Sequence, residues 1–306
     1  MKALVLRGSR NVFTLRIDGA EIECPIKGKI LKGVDGYYNP LAPGDIVETN
    51  GKLILGLEER RNTFARFNQK GQSPQLLAAN VDLALCITTP VSPPWRPRFV
   101  DRFLFQAEIS GVNAALIFNK IDLNGEDPDI EERLEDFCRI GYPVYRVSAL
   151  KGQGMESLCA FLKGKTSVFV GQSGVGKSSL INALIPGQGI RTGALNEKYD
   201  RGNHTTTQGM LMDASGLGPS TFVIDTPGIR RLAPERTAPA DVIHYMKEFA
   251  PLAHKCSFGF SCTHKTEPGC KIMEAVHAGV IHEDRYESFL RIRDEMSSLE
   301  QYPDYD

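Results

Sequence analysis

The sequence predicts three units in series: an N-terminal β-barrel of the OB type, a central α/β P-loop domain and a C-terminal, mainly helical module pinned by a metal. Three observations carry that expectation. Short apolar runs recur closely over the first seventy residues, strands and helices alternate from about residue 75, and three cysteines and a histidine crowd into residues 256–270. The expected units are residues 1–70, 71–235 and 236–306.

Composition sets the outer limits. A chain of 306 residues has room for two or three domains, and 42% hydrophobic with 24% charged residues is ordinary for a globular protein. No apolar run approaches the roughly 20 residues a bilayer span needs, and the opening residues lack a signal-peptide core. A cytoplasmic location follows as the expectation, where the seven cysteines read as thiols or metal ligands rather than disulfides. The net charge of −1 does not announce a nucleic-acid binder. It is unevenly spread, however: residues 1–70 hold 12 Lys/Arg against 8 Asp/Glu, and residues 271–306 hold 4 against 9. A basic N-terminal face fits contact with RNA, and it equally fits a solvated surface.

In the first unit the apolar runs are residues 2–6, 12–17, 22–25, 46–48 and 52–57, separated by turns such as Pro43-Gly44-Asp45 and Asn50-Gly51. Asn-Gly is a strong hairpin signal. Five short strands in this length fit a small barrel that binds RNA through a basic, aromatic groove. Groove candidates are Lys27, Lys29, Lys32, Tyr37, Tyr38, Arg60 and Arg61; a barrel that only packs on its neighbour fits the same runs.

The second unit opens with an expected strand at 80–88, a proline-rich loop at 90–97 and a helix at 99–110. A buried strand at 114–118 leads into Asn119-Lys120-Ile121-Asp122. This is the N-K-x-D pattern for guanine. The Asp122 carboxylate can accept from both N1–H and the exocyclic amine, whereas adenine would leave it unpaired. Lys120 can lie over the base while Asn119 ties neighbouring loops. A helix at 128–140 and a strand at 144–147 end in Ser148-Ala149-Leu150, the companion motif whose backbone faces the guanine oxygen.

Residues 171–178 follow the strand at 167–170 and run into a helix at 178–185: Gly171, Gln172, Ser173, Gly174, Val175, Gly176, Lys177 and Ser178 match G-x-x-x-x-G-K-[ST], with Ser179 next. Glycines let backbone N–H groups close on phosphate oxygens, the helix N-terminus adds positive potential, Lys177 reaches the terminal phosphates and Ser178 holds Mg²⁺. Residues 187–208 read as a polar loop containing Asn203-His204-Thr205-Thr206-Thr207, in which Thr206, with Thr205 as second choice, supplies a hydroxyl to Mg²⁺. A strand at 221–224 leads to Asp225-Thr226-Pro227-Gly228, a D-x-x-G motif that sets Asp225 near Mg²⁺ and the Gly228 N–H toward the terminal phosphate. Many GTPases follow that glycine with a water-positioning Gln. Here the residue is Ile229. His204 is the candidate to position water, with Arg230 or Arg231 behind it. Base motifs precede phosphate motifs, the reverse of the usual order, so the domain reads as a circularly permuted GTPase.

The third unit contains Cys256, Cys262, His264 and Cys270. Three thiolates and an imidazole make a closed tetrahedral site, which indicates one structural Zn²⁺; His254 and His277 are rival ligands. Helical spacing follows at 272–277 and 284–299.

These motifs in this order, from Ala79-Asn80-Val81-Asp82 to Cys270, resemble the ribosome small-subunit-dependent GTPase A family (RsgA) over nearly the whole chain. The resemblance implies an OB barrel, a permuted GTPase domain and a zinc-binding domain. It also implies GTP hydrolysis stimulated by the small (30S) ribosomal subunit, and a role in late maturation of that subunit with contacts to its rRNA. Two residues depart from the family pattern. Cys256 and Cys262 are separated by five residues where the family usually has four, and Asn203 stands where it often has Arg. The expected partners are therefore GTP or GDP, the small subunit and its rRNA, with no membrane and a monomeric chain. The alternatives are a GTP-sensing RNA-binding module whose hydrolysis is incidental, and a GTPase with a non-ribosomal target.

Overall fold

The computed structural model describes residues 1–9, 11–26, 36–68, 71–123, 127–190, 209–229 and 232–301. Strands β1 (Lys2–Ser9), β2 (Val12–Ile17), β3 (Ala20–Pro25), β4 (Ile46–Thr49) and β5 (Ile54–Leu57) pair antiparallel in the order β3-β2-β1-β4-β5. A parallel bridge between Ile26 and Ile54 joins the two edges and closes an OB-type barrel. Val5, Phe13, Leu15, Cys24, Val47 and Ile54 fill its interior. Of the groove candidates, Arg60 turns inward, its Nε 2.7 Å from Oδ1 of the fully buried Asp45, and Tyr37 lies beneath its guanidinium. Arg61 pairs with Asp82 at 2.8 Å. Tyr38 stands out, 58% exposed, while Lys27, Lys29 and Lys32 lie outside the described residues.

A hairpin that the sequence reading did not foresee follows, β6 (Thr63–Asn68) and β7 (Ser73–Ala79). The expected boundary between residues 70 and 71 falls in its turn. Its inner face belongs to the next core: Phe64 meets Phe103 with ring centroids 5.6 Å apart.

The central sheet is built from β8 (Leu83–Thr88), β9 (Asn113–Asn119), β10 (Val144–Val147), β11 (Thr166–Gly171), β12 (Met210–Asp213) and β13 (Phe222–Asp225), in the order β10-β9-β8-β11-β13-β12. All neighbours are parallel except β12, which runs against β13. Every residue of β8 is buried, as a strand covered on both faces requires. The covering helices are α1 (Pro97–Ile109), α2 (Pro128–Ile140), α3 (Met155–Leu162) and α4 (Lys177–Leu184). Local chemistry sets the ends of α2: Asp127 accepts from Asp129 N at 3.1 Å, Pro128 opens the first turn, and Gly141 ends the helix at φ +97°. From β8 the chain builds outward through β9 and β10, then returns to β11 on the other side of β8. The sheet therefore switches direction between β8 and β11, where a parallel sheet opens a crevice beyond its carboxyl ends.

The C-terminal part packs short 3₁₀ turns, α5 (Lys271–His277) and α6 (Glu283–Gln301) around a core that includes Phe249, Ile272 and Phe289. It meets the central domain through buried charge. Asp101 on α1 is fully buried and accepts from Arg133 Nη2 of α2 (3.2 Å), Arg285 Nη1 of α6 (3.0 Å) and Ser288 Oγ (2.6 Å). Arg285 Nε in turn donates to Glu248 at 2.6 Å. Among the described residues no helix is long and apolar enough to cross a membrane.

Candidate active site and metal centre

The motifs assemble at the switch point. β11 ends on Gly171 and α4 begins on Lys177, so residues 172–176 form the turn between them. Gly176 holds φ +86°, and a Cβ there would stand 2.5 Å from Asn119 Nδ2. Glycine thus permits the close approach of a loop 56 residues away: Asn119 Nδ2 donates to Val175 O at 3.0 Å. Asn119 Oδ1 accepts from Ala149 N at 3.1 Å, so one side chain spans three loops. Lys120 Nζ donates to Gly174 O at 2.7 Å and to Ser92 O at 2.5 Å, fastening the proline-rich loop to the same turn. Burial lowers the Lys120 ammonium from its ordinary value, opposed by the nearby Asp122 carboxylate. Asp122 sits in a single 3₁₀ turn after β9, half-buried, where Ser148 Oγ donates to its Oδ1 at 2.5 Å. Ser148 is fully buried and also accepts from Lys151 N at 3.1 Å, which fixes its hydroxyl toward the carboxylate.

At the other end of the turn, Lys177 pairs with Asp225. Thr226 is buried and donates from Oγ1 to Phe169 O at 2.7 Å, and Ile229 N donates to Gly171 O at 3.0 Å. These bonds lay residues 225–229 along the turn, and a Cβ on Gly228 would sit 3.3 Å from Ser173 Cα. Ser173 and Gly174 face solvent, Gln172, Ser178 and Ser179 are half-buried, and the side chains of Val175 and Ile229 point into the cores. Thr226 was not singled out in the sequence; a Thr directly after the motif acid was the available signal. Asn203, His204, Thr205, Thr206, Arg230 and Arg231 lie outside the described residues.

The arrangement offers a carboxylate with donors around it at one end. At the other it offers an ammonium, a second carboxylate, a helix hydroxyl at Ser178 and the backbone of the glycine-containing turn. That is the chemistry for holding a guanine base and a chain of phosphates in one crevice.

The second centre lies in the C-terminal part. The ligand atoms of Cys256, Cys262, His264 and Cys270 all lie within 4.8 Å of one another, and all four residues are buried. Cys256 Sγ and Cys270 Sγ are 3.9 Å apart, and each is 3.5 Å from His264 Nδ1. A tetrahedral Zn²⁺ with ordinary bond lengths needs edges of about 3.8 Å between sulfurs and about 3.6 Å between sulfur and nitrogen. The cluster fits and can hold that ion. The five-residue spacer between Cys256 and Cys262 is taken up by a 3₁₀ turn over Gly259–Ser261. Tyr286 OH donates to His264 O at 2.7 Å, and Glu267 accepts from the N–H groups of Thr263, Lys265 and Thr266, stiffening the ligand loop. Of the four cysteines outside the cluster, whose apolar surroundings in the sequence fit core positions, Cys24 and Cys86 are buried, Cys159 is half-buried and Cys138 is exposed.

The family model described as RsgA GTPase matches residues 57–234, more than half of the chain. The chain belongs to the RsgA GTPase family. Its relatives extend the likeness to both ends. A protein of Porphyromonas gingivalis named small ribosomal subunit biogenesis GTPase RsgA is 38% identical over all of both chains. RsgA 2 of Bacteroides thetaiotaomicron is 36% identical across 95% of this chain and 96% of its own. Two solved structures share the architecture: YjeQ from Thermotoga maritima (TM-score 0.74, 31% identity, 96% of this chain and 98% of that one) and YloQ, described as a circularly permuted GTPase (0.69, 25%, 99% and 96%). The RsgA match begins before β6, in keeping with the packing of the β6–β7 hairpin on α1. As an RsgA-family GTPase the chain is an enzyme, and the rotated motif order is that of its fold.

Proposed function

We propose that this GTPase binds the small ribosomal subunit and its rRNA, and hydrolyses GTP there during late maturation of the subunit. The supporting observation is likeness over full length: the alignments to relatives named for small-subunit biogenesis extend beyond the GTPase domain toward both ends of the chain. In this reading Asp122, oriented by Ser148, selects guanine, while Asn119, Lys120 and Ala149 hold the base loops against the turn. The backbone of residues 171–176, with Ser179 behind it, cradles the phosphates and Lys177 neutralises them. Ser178, Thr206 and Asp225 would hold Mg²⁺, which supplies charge neutralisation between the phosphate oxygens. Gly228 meets the terminal phosphate, and His204 positions the attacking water. Cys256, Cys262, His264 and Cys270 would hold one structural Zn²⁺, giving the C-terminal part a fixed shape. The chain acts as a cytoplasmic monomer, its C-terminal part beginning near residue 235.

The test is GTP turnover by the purified protein with and without purified small subunits. Acceleration by the small subunit alone, and not by the large one, is the expected result. Because Ile229 is buried in the core and cannot orient water, turnover without the subunit should be slow. RNA affinity that responds to GTP, with no acceleration by any ribosomal particle, would instead identify a nucleotide-sensing RNA binder.

A further inference from the structure

Beside the phosphate turn lies a cavity of about 440 Å³. That is the size of a small-molecule or single-nucleotide site. Its walls come from four places: the proline-rich loop and start of α1 (Trp95, Arg96, Phe99), the turn itself (Gln172), the segment after the Asp225–Gly228 motif (Leu232) and the start of α6 (Asp284). None of the roles assigned above uses it.

Trp95 is the only tryptophan of the chain. It is partly buried, held edge-on against Phe118 with centroids 5.7 Å apart and planes at 79°. Arg96 is exposed, and among the described residues its guanidinium has no ion-pair or hydrogen-bond partner. Its neighbours are committed elsewhere: Arg98 pairs with Glu287 at 2.9 Å, and Arg102 pairs with Glu295 while donating to Leu232 O at 2.7 Å. A fixed aromatic ring beside an unpaired guanidinium is the elementary platform for a nucleotide, the base on the ring and the phosphate on the cation. Asp284, its side chain 46% exposed and 3.8 Å from Arg133 Nε, keeps open lone pairs that can accept from a base N–H. An acidic peptide suits the cavity less well, because it brings nothing for Trp95 to stack and sets carboxylates against Asp284 and Glu287.

We infer that this cavity takes one unpaired nucleotide of RNA, its base stacked on Trp95 and its phosphate on Arg96. The inference rests on the reading that the protein acts on an RNA-containing partner. It adds a consequence: the occupant touches Gln172 of the phosphate turn and Leu232 just beyond the D-x-x-G motif, so RNA bound here lies against both walls of the catalytic crevice.

The single tryptophan makes the test direct. Full-length protein kept saturated with GDP is titrated with an unstructured adenosine-rich oligoribonucleotide, following Trp95 fluorescence and the anisotropy of a labelled oligonucleotide together. The expected result is saturable quenching that tracks the anisotropy. Arg96→Glu should weaken both by roughly tenfold and lower the salt dependence by about one phosphate contact, with the thermal midpoint unchanged. Trp95→Ala, read by anisotropy, should lose a similar factor. Anisotropy that rises without quenching, and is indifferent to Arg96→Glu, places RNA elsewhere and overturns the inference while leaving the ribosomal reading intact. Equal quenching by free AMP or by polyglutamate also overturns it. Absence of any RNA binding, together with no acceleration of turnover by small subunits, removes both readings.

Discussion

At the residue scale the crevice depends on a few side chains that hold other loops rather than a ligand. Asn119 ties the base motif to Val175 and Ala149, and Ser148 gives its hydroxyl to Asp122 at 2.5 Å. In the proposed reading Asp122 is the discriminating group, because its carboxylate matches the two adjacent donors of guanine. Asp122→Asn converts one acceptor into a donor, so GTP affinity should fall by at least tenfold, the discrimination of a good paired contact. Xanthosine triphosphate should then be preferred, as competition binding would reveal; unchanged GTP selectivity would remove Asp122 from base recognition. Gly176→Ala is a second expectation at this scale. The residue needs φ +86°, and its new methyl would meet Asn119 Nδ2 at 2.5 Å. Since both the backbone and a rigid neighbour resist, nucleotide binding should be lost and the thermal midpoint should fall by about 2–4 °C. These residues were legible in the sequence because phosphate and guanine chemistry dictates residue types at fixed spacing. The Lys120 bond to Ser92 O was not legible, since it joins a side chain to the carbonyl of a loop whose path only tertiary packing decides.

At the scale of elements, strands and helices with strong patterns were readable almost to the residue. β2 and β10 coincide with their apolar runs, and α2 carries a cap, a proline and a terminal glycine. Two of the misses share a cause. β12 is a four-residue Met-Leu-Met-Asp strand with no β-branched residue, and α3 buries only Leu158 and Leu162, so neither has a periodic signal of useful length. The Asp101 cluster was invisible for another reason: its members come from α1, α2 and α6, and no local pattern links them. Removing one charge there leaves two buried guanidiniums short of their partner. Asp101→Asn should therefore destabilise the protein by about 3 kcal/mol or more, measured by urea unfolding together with hydrogen exchange of α6. Loss of protection confined to the barrel would contradict that placement. The cysteine cluster allows a separate expectation. The protein should contain one zinc per chain by elemental analysis, and chelation or Cys256→Ser should unfold the C-terminal part, since a structural zinc contributes on the order of 10 kcal/mol. A chain that melts identically with and without chelator would deny the site a structural role.

For the whole molecule, the rotated chain order has a mechanical meaning. In this sheet the phosphate motifs come late, so residues 187–208 feed straight into β12 and the D-x-x-G segment feeds straight into the C-terminal part. Each continuation touches another module within a few residues: Asp213 at the end of β12 pairs with Arg16 of the barrel at 2.7 Å, and Ala233 O accepts from Phe67 N of the β6–β7 hairpin at 2.8 Å. A change at the terminal phosphate is therefore one short segment away from both surfaces that could meet a ribosomal partner. The same design bears on hydrolysis. Ile229 fills the place where a glutamine would orient water, and its side chain is buried in the core. The water must be placed by a group from elsewhere, and in the proposed reading His204, in the polar stretch of sequence before β12, has the right chemistry for it. Positioned acid–base groups contribute about 10²- to 10⁴-fold. His204→Ala should then lower turnover measured with small subunits by at least tenfold, while GTP affinity, set by Asp122 and the 171–178 turn, stays nearly the same. A variant that the subunit still accelerates in full would assign the water to another group and leave His204 a structural role in its loop.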